Sequence, residues 1–491
     1  MPKLLTKSKF LNGLDSEALL WRVVNQPETI PPPDAFSQQI FESGTEVGLL
    51  AQQYFEEGID LTPFDFLPNI RQTRLALRNR KPIFEAGFLT SRFYVRVDIL
   101  VPSGKEEWDI IEVKSSTKLK ETHIHDLAFQ RFVLEKCGLK INAVRVMLVN
   151  NQYIRQGELS TRDLFYFEEV SEQVSEFLLQ VPALAQRMLA VMDQPVCPEF
   201  RLEDLTKGEY SNVFKDEFNA ALPKGSVFEL YRGQKKKLIG LWSSGIHLIK
   251  DLLIDDQTPD KHLIQKETAL SGKPHVNPEQ IRAFIEGLEY PIYHLDFETF
   301  NPAIPPFDGT RPYMQIPFQY SLHIEQADGT IEHREYLHTA STDPRKALFS
   351  QLHRDIGPQG TILSFYETFE KSRITEWASA APEYHTWAED LTARMQDLLT
   401  PFKQFYYYHP DQQGSCSIKK VLPVMADLSY KGMAISNGGE ALSAYVKHFV
   451  NNQPHDDNEQ LIKDMLAYCE LDTWAMVMIL RRLRKLIKKA K

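Results

Sequence analysis

Two groups of acidic residues carry the chemistry legible in this sequence. In RVDIL, Asp98 stands among Val95, Val97, Ile99 and Leu100; in IIEVKSS, Glu112 and Lys114 lie two apart in a run otherwise apolar. Positions two apart on a strand share a face, and a buried strand has no structural use for an acid and a lysine on that face. Antiparallel pairing of the two strands brings Asp98 within reach of Glu112. Two carboxylates at one site repel, and a cation between them is the natural resolution. Lys114 would then neutralise charge on a scissile phosphate or polarise an attacking water. A surface ion-pair ladder is the other reading of Glu-x-Lys taken alone. The second group pairs Asp296 and Glu298 in YHLDFETF with a late Asp472 in AYCELDTWAM. Tyr468, four residues before Asp472, falls on the same helical face, and Glu370 follows a strand and opens a helix. Unrelated carboxylates are the alternative here.

The elements that must position these groups are readable in outline. A helix is expected from Ser43 to Gly58, after the stiff Pro31–Pro33 connection, then strands at KPIFEAGF, FYVRVDILV and WDIIEVKSS, with a Ser103-Gly104 turn between the last two. A helix through ETHIHDLAFQRFVLEKCG ends at Gly138, and INAVRVMLVN is a further strand. Residues 160–222 read as helical and polar. Residues 223–288 are mixed, with a short strand pair expected around SVFELYRGQKKKLIGLW and Gly233 near its turn. A polar, turn-rich stretch before YPIYHLDFETF marks a boundary. A new α/β pattern follows, with a hairpin turning at Asp328-Gly329, a strand at TILSFYET, and helices after residue 380. The expectation is an α/β, multidomain chain with domains at 1–222, 223–288 and 289–491.

A chain of 491 residues exceeds what one hydrophobic core usually supports. No apolar run approaches the length of a bilayer span, and MPKLLTKSKF has no apolar signal core, so no membrane partner is expected. The four cysteines, 137, 197, 416 and 469, form no disulfide framework, which points to a cytoplasmic protein. The net charge of −10 excludes a wholly basic coat protein but not an enzyme with a basic groove. Basic runs occur at Arg71, Arg74, Arg78, Arg80 and Lys81, at Lys235–Lys237, and in the final RRLRKLIKKAK, where a solvated helix end accounts for the charge.

The series Asp98, turn, Glu112-x-Lys114 and then a helix bearing Gln130 in DLAFQ resembles the PD-(D/E)XK nuclease superfamily, in its RecB-like and CRISPR-associated branch, over about residues 5–220. The resemblance implies a restriction-endonuclease-like α/β core with Asp98, Glu112, Lys114 and Gln130 as catalytic residues, Asp98 and Glu112 holding metal. Relatives often carry an iron–sulfur cluster on thiolates. The matching places here are Ser16, Thr206, Asn212 and Phe218, with Cys197 nearby and single, so no cluster is expected. A histidine many relatives carry in the first helix is replaced by Gly48. Glu46 or Glu85 would supply any extra carboxylate.

Asp296-x-Glu298, Glu370 and Tyr468-x-x-x-Asp472 are similar to the DEDD family of 3′–5′ exonucleases, built on an RNase H-like fold, over about 289–485. Wider wording, including PFQYSLHI, GSCSIKKVLP and YCELDTWAM, resembles an uncharacterised bacterial family in which this domain follows a RecB-like nuclease. The resemblance implies two Mg²⁺ or Mn²⁺ ions, roughly 4 Å apart, held by Asp296, Glu298, Glu370 and Asp472. Carboxylate oxygens suit such hard cations. Tyr468 would orient the attacking water, because its ordinary pKa of about 10 is too high for a strong base. The sequence departs from the family at Tyr366-Glu367-Thr368-Phe369-Glu370, where Glu367 replaces an asparagine and either adds a ligand or weakens activity. The proline-rich NPAIPPFDGTRPYMQIP reads equally as a substrate lid or a surface connection. Asp397 reads as a supporting acid, and His294, His338 and His409 show no metal-ligand spacing.

The expectation is a metal-dependent nuclease acting on DNA, ahead of RNA, in repair, processing or defence. The alternative is a nucleic-acid-binding scaffold with one site inactive.

Overall fold

The computed structural model describes residues 3–207 and 213–489. The chain is mixed α/β and divides into two compact units. One is Met1–Ala221 with Pro302–Tyr313; the other is Leu222–Asn301 with Met314–Lys491. The region 223–288, expected as a separate connection, is grouped with the second unit, and the proline-rich segment after Asp296-x-Glu298 with the first. Among the described residues no helix is long and apolar enough to cross a membrane.

In the first unit, strands β1 (Ile83–Thr90), β2 (Phe93–Ser103), β3 (Glu107–Lys114), β4 (Lys140–Val149) and β5 (Phe165–Glu169) lie in that order. All pairs are antiparallel except β3–β4, which is parallel because helix α3 (Glu121–Lys136) returns the chain across the sheet. Along β2, Val95, Val97 and Leu100 join a core that includes Leu127, Phe129 and Val133 of α3. The opposite face packs Ile99 and Ile111 with Val47 and Ala51 of helix α2 (Ala35–Gln52), together with Ala303, Ile304 and Tyr313. A two-residue strand, Leu5–Thr6, pairs with Phe93 and Tyr94 and leads directly into helix α1 (Lys7–Asp15).

Three expectations are corrected. Helix α2 begins at Ala35, capped by Asp34, which immediately follows the prolines and whose carboxylate accepts from the Ser37 N–H at 2.7 Å. The 160–222 region contains strand β5. The strand pair expected around Gly233 is a 3₁₀ turn, Val227–Glu229, followed by helix Lys235–Ser243.

In the second unit, β6 (Ile292–Phe300), β7 (Ile316–Glu325), β8 (Ile331–Leu337), β9 (Thr361–Ser364) and β10 (Met395–Asp397) form one sheet in the order β8-β7-β6-β9-β10. The first two pairings are antiparallel and the last two parallel. Period-two alternation gives this sheet two unlike faces. Tyr293, Leu295, Phe297, Tyr320, Leu322 and Ile324 point into an apolar core. His294, Asp296, Glu298, Gln319, Ser321 and His323 occupy the other face. The long helix α8 (Asn458–Lys489) meets that face through side chains: Gln319 bonds the Met465 carbonyl at 2.9 Å and Ser321 the Thr473 hydroxyl at 2.6 Å.

Candidate metal centres

The first centre is built on adjacent strands. The register Ile99↔Ile111 sets Asp98 beside Glu112, and Asp126 and Gln130, four apart on α3, face them. Gln130 Nε2 donates to Glu112 Oε2 at 2.7 Å and to Asp126 Oδ1 at 3.0 Å. Lys114 Nζ sits 2.8 Å from both Glu112 Oε1 and Asp126 Oδ2. The sequence reading missed Lys7. The Leu5–Thr6 pairing delivers it at the start of α1, where its ammonium lies 3.2 Å from Asp98 Oδ1 and 2.9 Å from Glu112 Oε1. Asp98 Oδ2 accepts from the Val113 N–H at 2.9 Å.

All four oxygens of the Asp98–Glu112 pair therefore accept from a protein donor. Burial works against charge on Glu112, but Lys114, Lys7 and the Gln130 amide hold its carboxyl well below the usual range. Burial and the Glu112 charge push Asp98 the other way, to about 7, against both lysines. Burial also opposes the charge of Lys7, yet Asp98, Glu112 and Asp126 together hold its ammonium well above the ordinary value. Glu85 pairs with Arg96 at 2.9 Å, close enough for Lys7 and Glu112 to act on it. The charge that acts on Glu46 is that of Glu42.

At the places matching cluster cysteines, the Ser16 hydroxyl caps helix Glu17–Asn25 by accepting from Leu19 N–H, and the Thr206 hydroxyl donates to the Glu203 carbonyl at 2.8 Å. Phe218 lies in helix Val213–Ala221, and Asn212 lies outside the described residues. The proline-rich segment is docked rather than free: Arg155 donates to the Pro305 and Pro306 carbonyls at 3.1 and 2.9 Å, and Tyr313 donates to the Ser115 carbonyl.

The second centre draws on one strand and two helices. Asp296 and Glu298 come from β6, with an irregularity in the β6–β7 pairing between Pro317 and Gln319, opposite Glu298. Glu370 comes from the first turn of helix α5 (Glu367–Ala380). Tyr366, just before that helix, takes a left-handed φ of 86°, and Asp397 fixes it by accepting from the N–H groups of Tyr366 and Leu399, both at 2.9 Å. Tyr468 and Asp472 come from α8. Tyr430, also missed in the sequence, donates to Asp472 Oδ1 at 2.5 Å.

The four acids act on one another. Burial first, then Asp472, Glu370 and Glu298, drive the Asp296 carboxyl well above its ordinary value. Burial and Asp472 raise Glu298 to about 8, against Lys419. Burial raises Glu370 to about 8, with Asp397 and Glu367 adding to it and its own backbone N–H and Arg373 opposing. Burial raises Asp472 to about 6, offset by bonds from Tyr430 and Tyr468. Tyr468 itself is raised by burial and by Asp472, Glu298 and Asp296, so its phenol keeps its proton. Glu367 is turned to Lys371, 2.8 Å away.

Two observations fit this centre to cations. Glu370 Oε2 is buried with no hydrogen-bond partner among the described residues. Ligand atoms of Asp296, Glu298 and Cys469 lie within 4.8 Å of one another. Cys469, four residues from Thr473 and adjacent to Glu470, was also missed in the sequence, and burial with the surrounding acids keeps its thiol protonated.

Residues 293–417, which hold Asp296, Glu298 and Glu370, match the family model DUF2779, a domain of unknown function. The chain is 29% identical over 223 residues to the uncharacterized protein UU173 of Ureaplasma parvum serovar 3, a match covering 40% of this chain and 32% of that protein. It is 24% identical over 215 residues to the uncharacterized protein MG366 of Mycoplasma genitalium, covering 40% of this chain and 32% of the relative. The match thus spans about a third of the length of these curated relatives.

Proposed function

We propose that this protein is a metal-dependent nuclease whose hydrolytic centre is Asp296, Glu298, Glu370 and Asp472, of the DEDD 3′–5′ exonuclease type on an RNase H-like fold. The observation that carries the reading is a cluster of four mutually repelling carboxylates, three of them buried, one with an oxygen unpartnered among the described residues. Bound Mg²⁺ or Mn²⁺ would activate water and stabilise the charge on the departing oxygen. The four carboxylates would hold the ions, and Tyr430 and Tyr468 orient Asp472 through their hydroxyls. Tyr468, kept protonated, would position the attacking water by hydrogen bonding rather than remove its proton. DNA is the favoured polymer, with RNA the other.

The first unit is proposed to be a RecB-like PD-(D/E)XK domain. Its Asp98–Glu112 pair, with every oxygen engaged, does not fit a divalent ion while Lys7 is in place, and no hydrolytic step is derived there. This favours a second reading, in which the first unit holds nucleic acid and only the second cleaves. The test uses purified full-length chain with 3′- and 5′-labelled single-stranded and duplex DNA and with RNA, under Mg²⁺ or Mn²⁺. Stepwise shortening from 3′ ends is expected. Absence of turnover on every substrate with both ions overturns the nuclease reading.

A further inference from the structure

The polar face of the second sheet carries a row of histidines that spacing along the chain conceals. His323 of β7 is the register partner of both His294 on β6 and His333 on β8. Three imidazoles thus lie side by side across three strands, two positions along from Asp296. The His323 and His333 rings stack with centroids 4.4 Å apart.

Donor counting in the surrounding network assigns the proton on each ring. The Thr473 hydroxyl donates to the Glu470 carbonyl at 3.1 Å, so it can only accept from His323 Nδ1 at 2.8 Å and from Ser321 Oγ at 2.6 Å. Ser321, having given its proton to Thr473, accepts from His333 Nε2 at 2.9 Å. The lone pairs left over are on His323 Nε2 and His333 Nδ1. The Glu470 carboxylate lies 3.8 Å from His333 Nδ1, too far for a hydrogen bond. One ligand atom from each of His323, His333 and Glu470 lies within 4.8 Å of the others.

We propose that His323, His333 and Glu470 form a separate site for a borderline first-row divalent ion of the Zn²⁺ class, oriented by Ser321 and Thr473. Two imidazoles and one carboxylate are a donor set suited to such an ion rather than to Mg²⁺. Hydroxyls that occupy the far nitrogen of each ring hold the tautomer and the ring direction that ligation needs. Glu470 is exposed and His333 partly so, which leaves an entry path from solvent. The ion would tie α8, the helix that carries Tyr468 and Asp472, to the β7–β8 hairpin.

Titration of the full-length chain with Co²⁺, followed by its visible d–d absorption, tests this. One equivalent is expected to give the band in the wild type and in the Asp296→Ala/Glu298→Ala double variant. His333→Ala and Glu470→Gln, both at solvent-accessible positions, are expected to weaken Co²⁺ binding at least about tenfold. His333→Cys is expected to restore it with an added thiolate-to-cobalt band, which separates ligand loss from misfolding. The proposal is overturned by a wild type with no band, by a band that survives His333→Ala, or by loss of the band in the Asp296→Ala/Glu298→Ala variant.

Discussion

In the first centre, two ammonium groups sit on three carboxylates, and a glutamine and a backbone N–H complete the shell. In the second, four carboxylates, three of them buried, share one cluster, while Lys419 acts on Glu298 and Asp472 from an exposed position with its ammonium on the Ser436 carbonyl at 3.0 Å. Both centres offer an acid two positions from a second functional residue on a strand, and both have a helix completing the set. What separates them is charge compensation. Lys7 is paired directly with Asp98 and Glu112, whereas among the described residues no cation pairs directly with Asp296, Glu298, Glu370 or Asp472. Similar residue patterns therefore predict different metal dependence.

The sharpest way to break the comparison is to remove one acid or one lysine at a time. Asp296→Ala is expected to lower kcat/KM for 3′ trimming about 10³-fold, the scale of losing a dominant electrostatic contribution. Lys114→Ala is expected to leave that trimming unchanged. Equal loss in both variants, measured on the same labelled strand, would show that the two centres do not act independently. Tyr468→Phe removes the hydroxyl but not the ring, and roughly a 10²-fold loss of kcat is expected with metal affinity retained. A drop in Mn²⁺ binding of the same size would assign Tyr468 to holding the site together instead.

Lys7→Met tests the other side. With Asp98 and Glu112 left facing each other, the fold is expected to lose about 1–3 kcal/mol in urea denaturation, a buried-pair cost discounted for the partial exposure of Lys7. Added Mg²⁺ should then recover stability in this variant more than in the wild type. Equal stability of variant and wild type without metal would remove Lys7 from the account of charge balance.

The pH dependence of stability tests the same crowding of acids. Glu298 and Glu370 titrate near 8 in the folded chain against an ordinary 4.5. The folded state thus binds protons more tightly than the unfolded one, and stability falls as pH rises. Their contribution is fully present below about pH 4.5 and lost as pH climbs through about 8. Chelator-treated protein should show this decline in its denaturation midpoint, Mg²⁺ should flatten it, and Glu298→Gln should reduce its slope. A midpoint that rises over the same window would contradict the crowding of these acids.

Local pattern carried much of this into view. The alternation from Tyr293 to Phe300 already separates an apolar face from the one bearing Asp296 and Glu298, and Asp328-Gly329 marks the hairpin. The four-residue step from Tyr468 to Asp472 needs only helix geometry. Long-range partners had no such signal. Lys7 reaches Asp98 across 91 positions through a two-residue strand, and Tyr430 reaches Asp472 across 42. His294, His338 and His409 show no metal-ligand spacing, and His323 and His333 carry no signal along the chain; strand register, not spacing, aligns His294, His323 and His333. Around Gly233 the apolar residues suggested strands, whereas Leu238 and Ile239 are buried from one helix.

The docked segment Pro302–Tyr313 bears on how this protein can be divided. It leaves the chain immediately after Asn301, yet Ala303, Ile304 and Tyr313 complete the core around Ile99 and Ile111. A fragment ending at residue 221 would expose that apolar face, and a fragment starting at 222 would carry the segment without the residues it packs on. No single cut yields two intact halves, so insertion, shuffling or limited proteolysis that respects sequence order alone would damage both products.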